Sequence, residues 1–214
     1  MKQAVICTGG SGPVQISVSE LGIREGAEII AADSGYRIAR NLGMKPTAVI
    51  GDFDSLDVGD LDDTSLEIIR HPAGKDFSDT ELAVRLMETR GCCDYLVLGG
   101  GEGRLDHTLD ICRVLAALSM KHPVRWITRC EHIWFVYNST LHLEAEPGTM
   151  VSLFRAPGSD SACMHAKGLR WDVKGMTCSL SNRFDAPSCS VTVEKGVIMV
   201  MLPVGTVKRW SLGK

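Results

Sequence analysis

The feature that most constrains this chain is a short apolar run closing on two carboxylates, Ala48-Val49-Ile50 followed by Gly51-Asp52-Phe53-Asp54-Ser55. The run reads as a buried strand, which puts Asp52 and Asp54 where a strand ends and a loop begins. In an open α/β sheet, ligands bind outside the carboxyl ends of the strands. Two acids one residue apart repel each other unless a cation offsets them. Oxygen donors at a strand end suit Mg²⁺, which takes one or two carboxylates and leaves its other positions to water and phosphate. A polar turn is the competing reading, because Gly, Asp and Ser are common turn residues.

The surrounding chain repeats the pattern. Residues 3–8 read as a strand ending in Gly9-Gly10-Ser11-Gly12, and Glu28-Ile29-Ile30-Ala31-Ala32 is an apolar run closing on Asp33. Ser34-Gly35 opens a helical stretch with Ile38, Ala39 and Leu42 at helix spacing and Gly43 as its stop. Ile68-Ile69 suggests a short strand after the polar segment from Asp57 to Asp63. Ser78 with Glu81 forms a capping-box pattern, which starts a helix at Asp79 with Leu82, Ala83, Leu86 and Met87 as its buried stripe. Residues 94–98 form another strand, which runs into Gly99-Gly100-Gly101 and a helix from about Leu105 to Met120. That helix is expected to bury Leu105, Leu109, Cys112 and Ala116.

Strands alternating with helices up to about Thr128 predict a parallel, Rossmann-like α/β sheet. Beyond it the pattern changes to short strands at 134–137, 141–143, 150–154, 190–193 and 197–201, separated by turn residues, with no convincing helix. This predicts a small antiparallel β-sandwich or barrel, with domains at 1–130 and 131–214.

Composition narrows the function. A net charge of −3 gives no basic field for nucleic acid, and no apolar run is long enough to span a bilayer. The eight cysteines are scattered without a Cys-x-x-Cys, which signals neither a zinc site nor a redox motif. With no secretion signal at the N-terminus, buried reduced thiols and a cytoplasmic location are expected. His71, His122, His132, His142 and His165 lack ligand spacing and read as structural.

The chemistry gathers in four loops: Asp33, the Asp52/Asp54 pair, Asp76 with Asp79, and Gly99-Gly100-Gly101-Glu102-Gly103-Arg104-Leu105-Asp106-His107. In the last loop a strand runs through glycines into a helix start, a geometry that offers N–H groups to phosphate, with Arg104 placed for a forked contact. The spacing is neither that of a P-loop nor of a dinucleotide fingerprint. Acids together with a phosphate-type loop point to a metal-bound nucleotide.

These residues carry a family resemblance. Asp33-Ser34-Gly35, Gly51-Asp52-Phe53-Asp54-Ser55, Lys75-Asp76-Phe77-Ser78-Asp79 and Gly100 to His107 look like the ordered motifs of thiamine pyrophosphokinases. In the β-rich part, Gly168-Leu169-Arg170-Trp171 and Leu180-Ser181-Asn182 resemble that family's thiamine-binding segments. The resemblance implies Mg²⁺-dependent transfer of pyrophosphate from ATP to thiamine, in a homodimer with its site between subunits. It makes Asp52, Asp54 and Asp79 metal ligands, Arg104 and Asp106 a phosphate-stabilising pair, and Asp33, Gly35, Asp76, Gly100 and Gly101 nucleotide contacts. Trp171, Ser181 and Asn182 become thiamine contacts, although a core tryptophan and a polar turn are their plain alternatives. A pyrophosphokinase acting on another hydroxymethyl heterocycle, such as a pterin, and a non-catalytic nucleotide-binding module are the rival functions.

Overall fold

The computed structural model describes residues 1–13, 16–54, 56, 65–72, 76–176 and 178–213; Ser55, the polar run 57–63 and Lys75 lie outside them. The chain divides into two compact units, Met1–Ile111 with Trp126–Arg129, and Cys112–Arg125 with Cys130–Lys214.

The first unit is organised by parallel strands β1 (Gln3–Cys7), β2 (Glu28–Ala32), β3 (Ala48–Gly51), β4 (Glu67–Arg70) and β5 (Asp94–Leu98). Their order is β5-β1-β2-β3-β4, with every neighbouring pair parallel. Every residue of β1, β3 and β5 is buried, so these strands are continuous apolar runs rather than alternating ones. Parallel pairing has a further effect: the loops that follow these strands all emerge at one edge. Strand β6 (Val124–Ile127) adjoins β5, and just beyond β5 the Gly99 N–H donates to the Ile127 carbonyl at 3.0 Å.

Helix α1 (Gly35–Asn41) follows β2, and Gly43 just beyond it is left-handed at φ 68°. Helix α2 (Asp79–Thr89) is capped by Ser78, whose hydroxyl accepts from the Glu81 N–H at 3.2 Å. Its buried stripe is Thr80, Ala83, Val84 and Met87. The expected Ala83 and Met87 are buried, whereas Leu82 and Leu86 are only half-buried, a rotation of the face by about a quarter of a turn.

Helix α3 (Leu105–Ser119) corrects its expectation more sharply. Leu105 and Leu109 are exposed at 69% and 54%, and the buried side is Ile111, Val114, Leu115, Ala116 and Leu118. The helix carries two apolar stripes, and only packing decides which one is covered.

The second unit is antiparallel. Strands β7 (Glu131–Tyr137), β9 (Met150–Arg155), β12 (Cys178–Arg183) and β14 (Val197–Pro203) pair in the order β12-β9-β14-β7. Strands β8 (Thr140–Ala145), β10 (Cys163–Lys167), β11 (Val173–Met176), β13 (Ser188–Lys195) and β15 (Val207–Gly213) form a separate sheet, ordered β11-β10-β13-β8-β15. Both sets feed one apolar cluster that includes Trp134, Val151, Leu153, Leu143, Met164 and Val191. Four of these strands, β10, β11, β12 and β15, lack a clear apolar alternation in the sequence. All eight cysteines are free, but only Cys7, Cys92 and Cys189 are buried, and Cys130 is exposed. Among the described residues no helix is long and apolar enough to cross a membrane.

Candidate active site

At the carboxyl edge of the first unit lies a cavity of about 770 Å³. Each wall is a strand end or a helix start: Thr8 to Gly10 after β1, Asp33 and Ser34 after β2, Asp52 and Asp54 after β3. Ser78 to Thr80 at the start of α2 and Gly100 to Ile111 around the start of α3 complete it. The topology explains the position. The chain leaves β1 toward β2 on one side, while β5 pairs on the other, so the loops after β1 and β5 part to open a crevice.

Gly51 lets the acids converge. A Cβ built there would stand 3.1 Å from the Asp33 Cβ and 3.4 Å from the Asp79 Cγ. The bare backbone of one strand end is thus the floor on which carboxyl groups from two other loops meet, beside Asp52. Asp33 is 7% exposed and holds φ at 45°, and Phe53 holds φ at 61°. Non-glycine residues rarely adopt this conformation, and such strain concentrates at functional sites. The Arg70 guanidinium lies 4.9 Å from the centre of the Phe53 ring, across the turn that separates Asp52 from Asp54. Within that turn the Asp54 N–H donates to Asp52 Oδ1 at 3.2 Å, so the turn and the acid pair are one structure.

On the opposite wall Gly99, Gly100, Gly101 and Gly103 all have positive φ, between 72° and 93°. A Cβ on Gly99 would come within 2.4 Å of Ile38 and 2.7 Å of the Thr8 carbonyl, so only glycine fits. Arg104 then grips Asp106 in a fork, Nε to Oδ1 at 3.2 Å and Nη2 to Oδ2 at 2.5 Å. The hydrogen bond to Asp106 holds the Arg104 pKa above its ordinary value, with Asp54 adding a smaller push in the same direction. The same bond holds the Asp106 carboxyl below the usual carboxylate range. Both side chains stay open to solvent, so the fork is free to turn to an anion.

The cavity therefore brings together Asp33, Asp52, Asp54, Asp79, Gly100, Gly101, Arg104 and Asp106. Two expected contacts stand apart. Asp76 is exposed and does not line the cavity, and Gly35 is buried with its missing Cβ only 2.0 Å from the Cys7 carbonyl. Gly35 thus seats α1 on β1. Thr8, Thr80, Glu102 and Asp110 also line the cavity and were not singled out from the sequence. The Thr8 and Thr80 hydroxyls share a buried hydrogen bond at 2.6 Å that ties the end of β1 to the start of α2. Asp110 lies one helical turn beyond Asp106, a spacing legible in the sequence.

In the second unit Trp171 is 52% exposed, which removes the core reading of this residue, and the Arg170 guanidinium lies 5.8 Å from its ring centre. Asn182 is fully buried. Its Oδ1 accepts from the Trp171 and Arg183 N–H groups at 3.1 and 2.8 Å, and its Nδ2 donates to the Trp171 carbonyl and the Ser179 hydroxyl, both at 3.0 Å. That saturates the amide. Ser181, at φ 54°, sits exposed in the bulge of β12.

Residues 23–127 match the family described as thiamin pyrophosphokinase, catalytic domain. Among solved structures, thiamine pyrophosphokinase from Bacillus subtilis is similar over 94% of this chain and 99% of its own, at 19% identity and a TM-score of 0.76. Thiamin pyrophosphokinase from Candida albicans is similar over 94% and 89% at 14% identity, TM-score 0.75. The yeast enzyme is similar over 94% and 86% at 17% identity, TM-score 0.68. At these identities the likeness is one of fold. No curated protein matches significantly.

Proposed function

We propose that this chain, which belongs to the thiamine pyrophosphokinase family, transfers the terminal pyrophosphate of ATP to the hydroxyl of thiamine, yielding thiamine diphosphate and AMP. The observation that carries this reading is the meeting of Asp33, Asp52, Asp54 and Asp79 with a glycine-rich turn and Arg104 in one cavity, all of them within the matched residues.

The donor set fits Mg²⁺ in kind, because Asp52, Asp54 and Asp79 line one cavity and offer hard carboxylate oxygens. What Mg²⁺ supplies when bound is neutralisation of phosphate charge. The protein's own part is positioning and electrostatics, since phosphoryl transfer leaves it little covalent chemistry. N–H groups of Gly100 and Gly101 and the N-terminus of α3 face the triphosphate, and Arg104 leaves Asp106 to fork onto phosphate oxygens. The thiamine hydroxyl attacks the β-phosphorus in line and AMP departs. Asp54 or Asp79 accepts the hydroxyl proton.

In this reading the doubly wound, Rossmann-like part, residues 1–130, binds ATP, and the β-sandwich, residues 131–214, takes the thiamine ring. Trp171 offers its exposed face for stacking, and Ser181 offers its hydroxyl. Asn182 acts through Trp171, because its amide has no bond left to give. We further propose a cytoplasmic homodimer. Phosphorus NMR of the protein with MgATP and thiamine tests the reaction. AMP and thiamine diphosphate in equal amounts are expected; ADP with thiamine monophosphate would overturn it.

A further inference from the structure

In the separate sheet of the second unit, β10 and β13 bring a thiol, an imidazole and a carboxylate to one point. Cys163 and His165 are two residues apart on β10, so both project from the same face, while Met164 between them points into the core at 0% exposure. On β13, Val193 pairs with Met164 and Lys195 pairs with Cys163, and the register shifts between Cys163 and Met164. Glu194 is the extra residue of this bulge. A bulge re-aims side chains, and here it turns Glu194 toward Cys163 and His165.

The distances are those of a ligand shell. Cys163 Sγ lies 3.8 Å from Glu194 Oε2, and His165 Nε2 lies 3.3 Å from Glu194 Oε1. All three ligand atoms fall within 4.8 Å of one another. Tetrahedral zinc, with Zn–S of about 2.3 Å and Zn–N or Zn–O of about 2.0 Å, requires edges of about 3.5 Å for S···O and about 3.3 Å for N···O. The two measured edges come close to these values, one on each oxygen of the Glu194 carboxylate, which has to turn for a single oxygen to serve the cation. Of the lysines paired with these residues, Lys195 lies across from Cys163, and Lys174, across from His165, is engaged by Asp172 at 3.1 Å. In this structure Glu194 serves both partners at once, accepting from the Cys163 thiol on one oxygen and facing the His165 imidazole with the other.

We propose that Cys163, His165 and Glu194 form a binding site for a borderline-soft divalent cation of the zinc class, with the fourth position open to solvent. The ligand set differs in kind from the carboxylate cavity of the first unit. Thiolate and imidazole select zinc or cobalt, whereas carboxylates alone suit magnesium. The site is invisible to spacing rules because its ligands come from two strands about thirty residues apart in sequence.

Cobalt(II) is the probe. The full-length, reduced, metal-free protein is titrated with Co²⁺ in the presence of excess Mg²⁺, which occupies the carboxylate cavity. A thiolate-to-cobalt charge-transfer band that saturates at about one equivalent and is abolished by Zn²⁺ is expected, since carboxylate ligands give no such band. Cys163→Ser should remove the band, and His165→Ala and Glu194→Gln should each weaken cobalt binding at least tenfold. Cys130→Ser, which alters an exposed thiol elsewhere, should leave the band unchanged. Circular dichroism of each variant verifies folding, and the charge-neutral Glu194→Gln keeps the test open if a larger change perturbs the sheet. Absence of the band, its survival in Cys163→Ser, or unaltered affinity in both other ligand variants overturns the proposal.

Discussion

Asn182 holds Trp171 by both of its backbone groups, accepting from its N–H at 3.1 Å and donating to its carbonyl at 3.0 Å. The amide is buried while the indole it serves is half-exposed, so the pair divides support from presentation. Removing the amide in Asn182→Ala leaves backbone groups of Trp171 and Arg183 without partners, at a cost of about 1–3 kcal/mol. Acceptor KM is expected to rise roughly tenfold, in line with a lost stacking contact, while the ATP KM stays put. Steady-state kinetics with each substrate varied separately, beside a urea melt, distinguishes this from general unfolding. A thiamine KM unchanged in the folded variant would show that Asn182 serves the fold alone.

The acids divide by position. Asp52→Asn and Asp54→Asn alter residues that line the cavity, and each should lower turnover roughly a hundredfold or more with little change in thermal midpoint. Asp76→Asn, on an exposed residue outside that lining, should stay within about twofold of the parent. Parallel assays of the three at saturating MgATP decide the matter, and an Asp76 variant as impaired as the other two contradicts the geometry.

Two glycines should separate activity from stability. Alanine at Gly51 pushes on Asp33 at 3.1 Å and Asp79 at 3.4 Å, so acid placement suffers first, with a stability loss of about 1 kcal/mol. Alanine at Gly35 meets the Cys7 carbonyl at 2.0 Å, a backbone clash with no flexible side chain to yield, and should destabilise by about 3 kcal/mol or more. The measurement is activity per folded molecule together with the denaturant midpoint. Equal midpoints for the two variants would argue against this assignment.

His132 makes stability depend on pH. Burial, with the Arg125 charge adding to it, lowers its pKa from 6.5 to about 3, and its ring stacks on Trp134 at 3.7 Å. Between those two values the unfolded chain binds the proton and the folded chain does not. Stability therefore falls as pH drops from about 6.5 toward 3, by up to about 1.4 kcal/mol per pH unit. His132→Phe retains a flat ring and removes the titration, so its denaturant midpoint should decline less steeply between pH 7 and pH 4. Curves that run parallel would assign the acid sensitivity to other groups.

Free thiols report on the same packing. Burial raises the pKa of Cys7 and Cys189 to about 12, whereas Cys130 is exposed. A neutral thiol is a poor nucleophile. Alkylation at neutral pH followed by peptide mapping should label Cys130 early and reach Cys7 and Cys189 only after unfolding. Early modification of Cys7 would mean that β1 opens in the native state.

Much of the cavity was legible locally. The apolar runs before Asp33, Asp52 and Gly99 mark buried strands, Ser78 caps α2 as its spacing demands, and parallel pairing then sends those strand ends to one edge. The strands and the cap follow from residues near one another in sequence, whereas the parallel pairing joins segments as far apart as Gln3 and Asp94. Tertiary structure decided the rest. Leu105 and Ile111 are equally apolar, and only the packing of α3 left the first exposed and buried the second. Gly51 became the floor of the acid cluster because Asp33 and Asp79 arrive there from other loops. Asn182 became a brace once its amide was buried among four partners, and Glu194 met Cys163 and His165 only through a register shift between strands. Each of these outcomes depends on which distant segment excludes water from a side chain and at what register, and local sequence does not encode that.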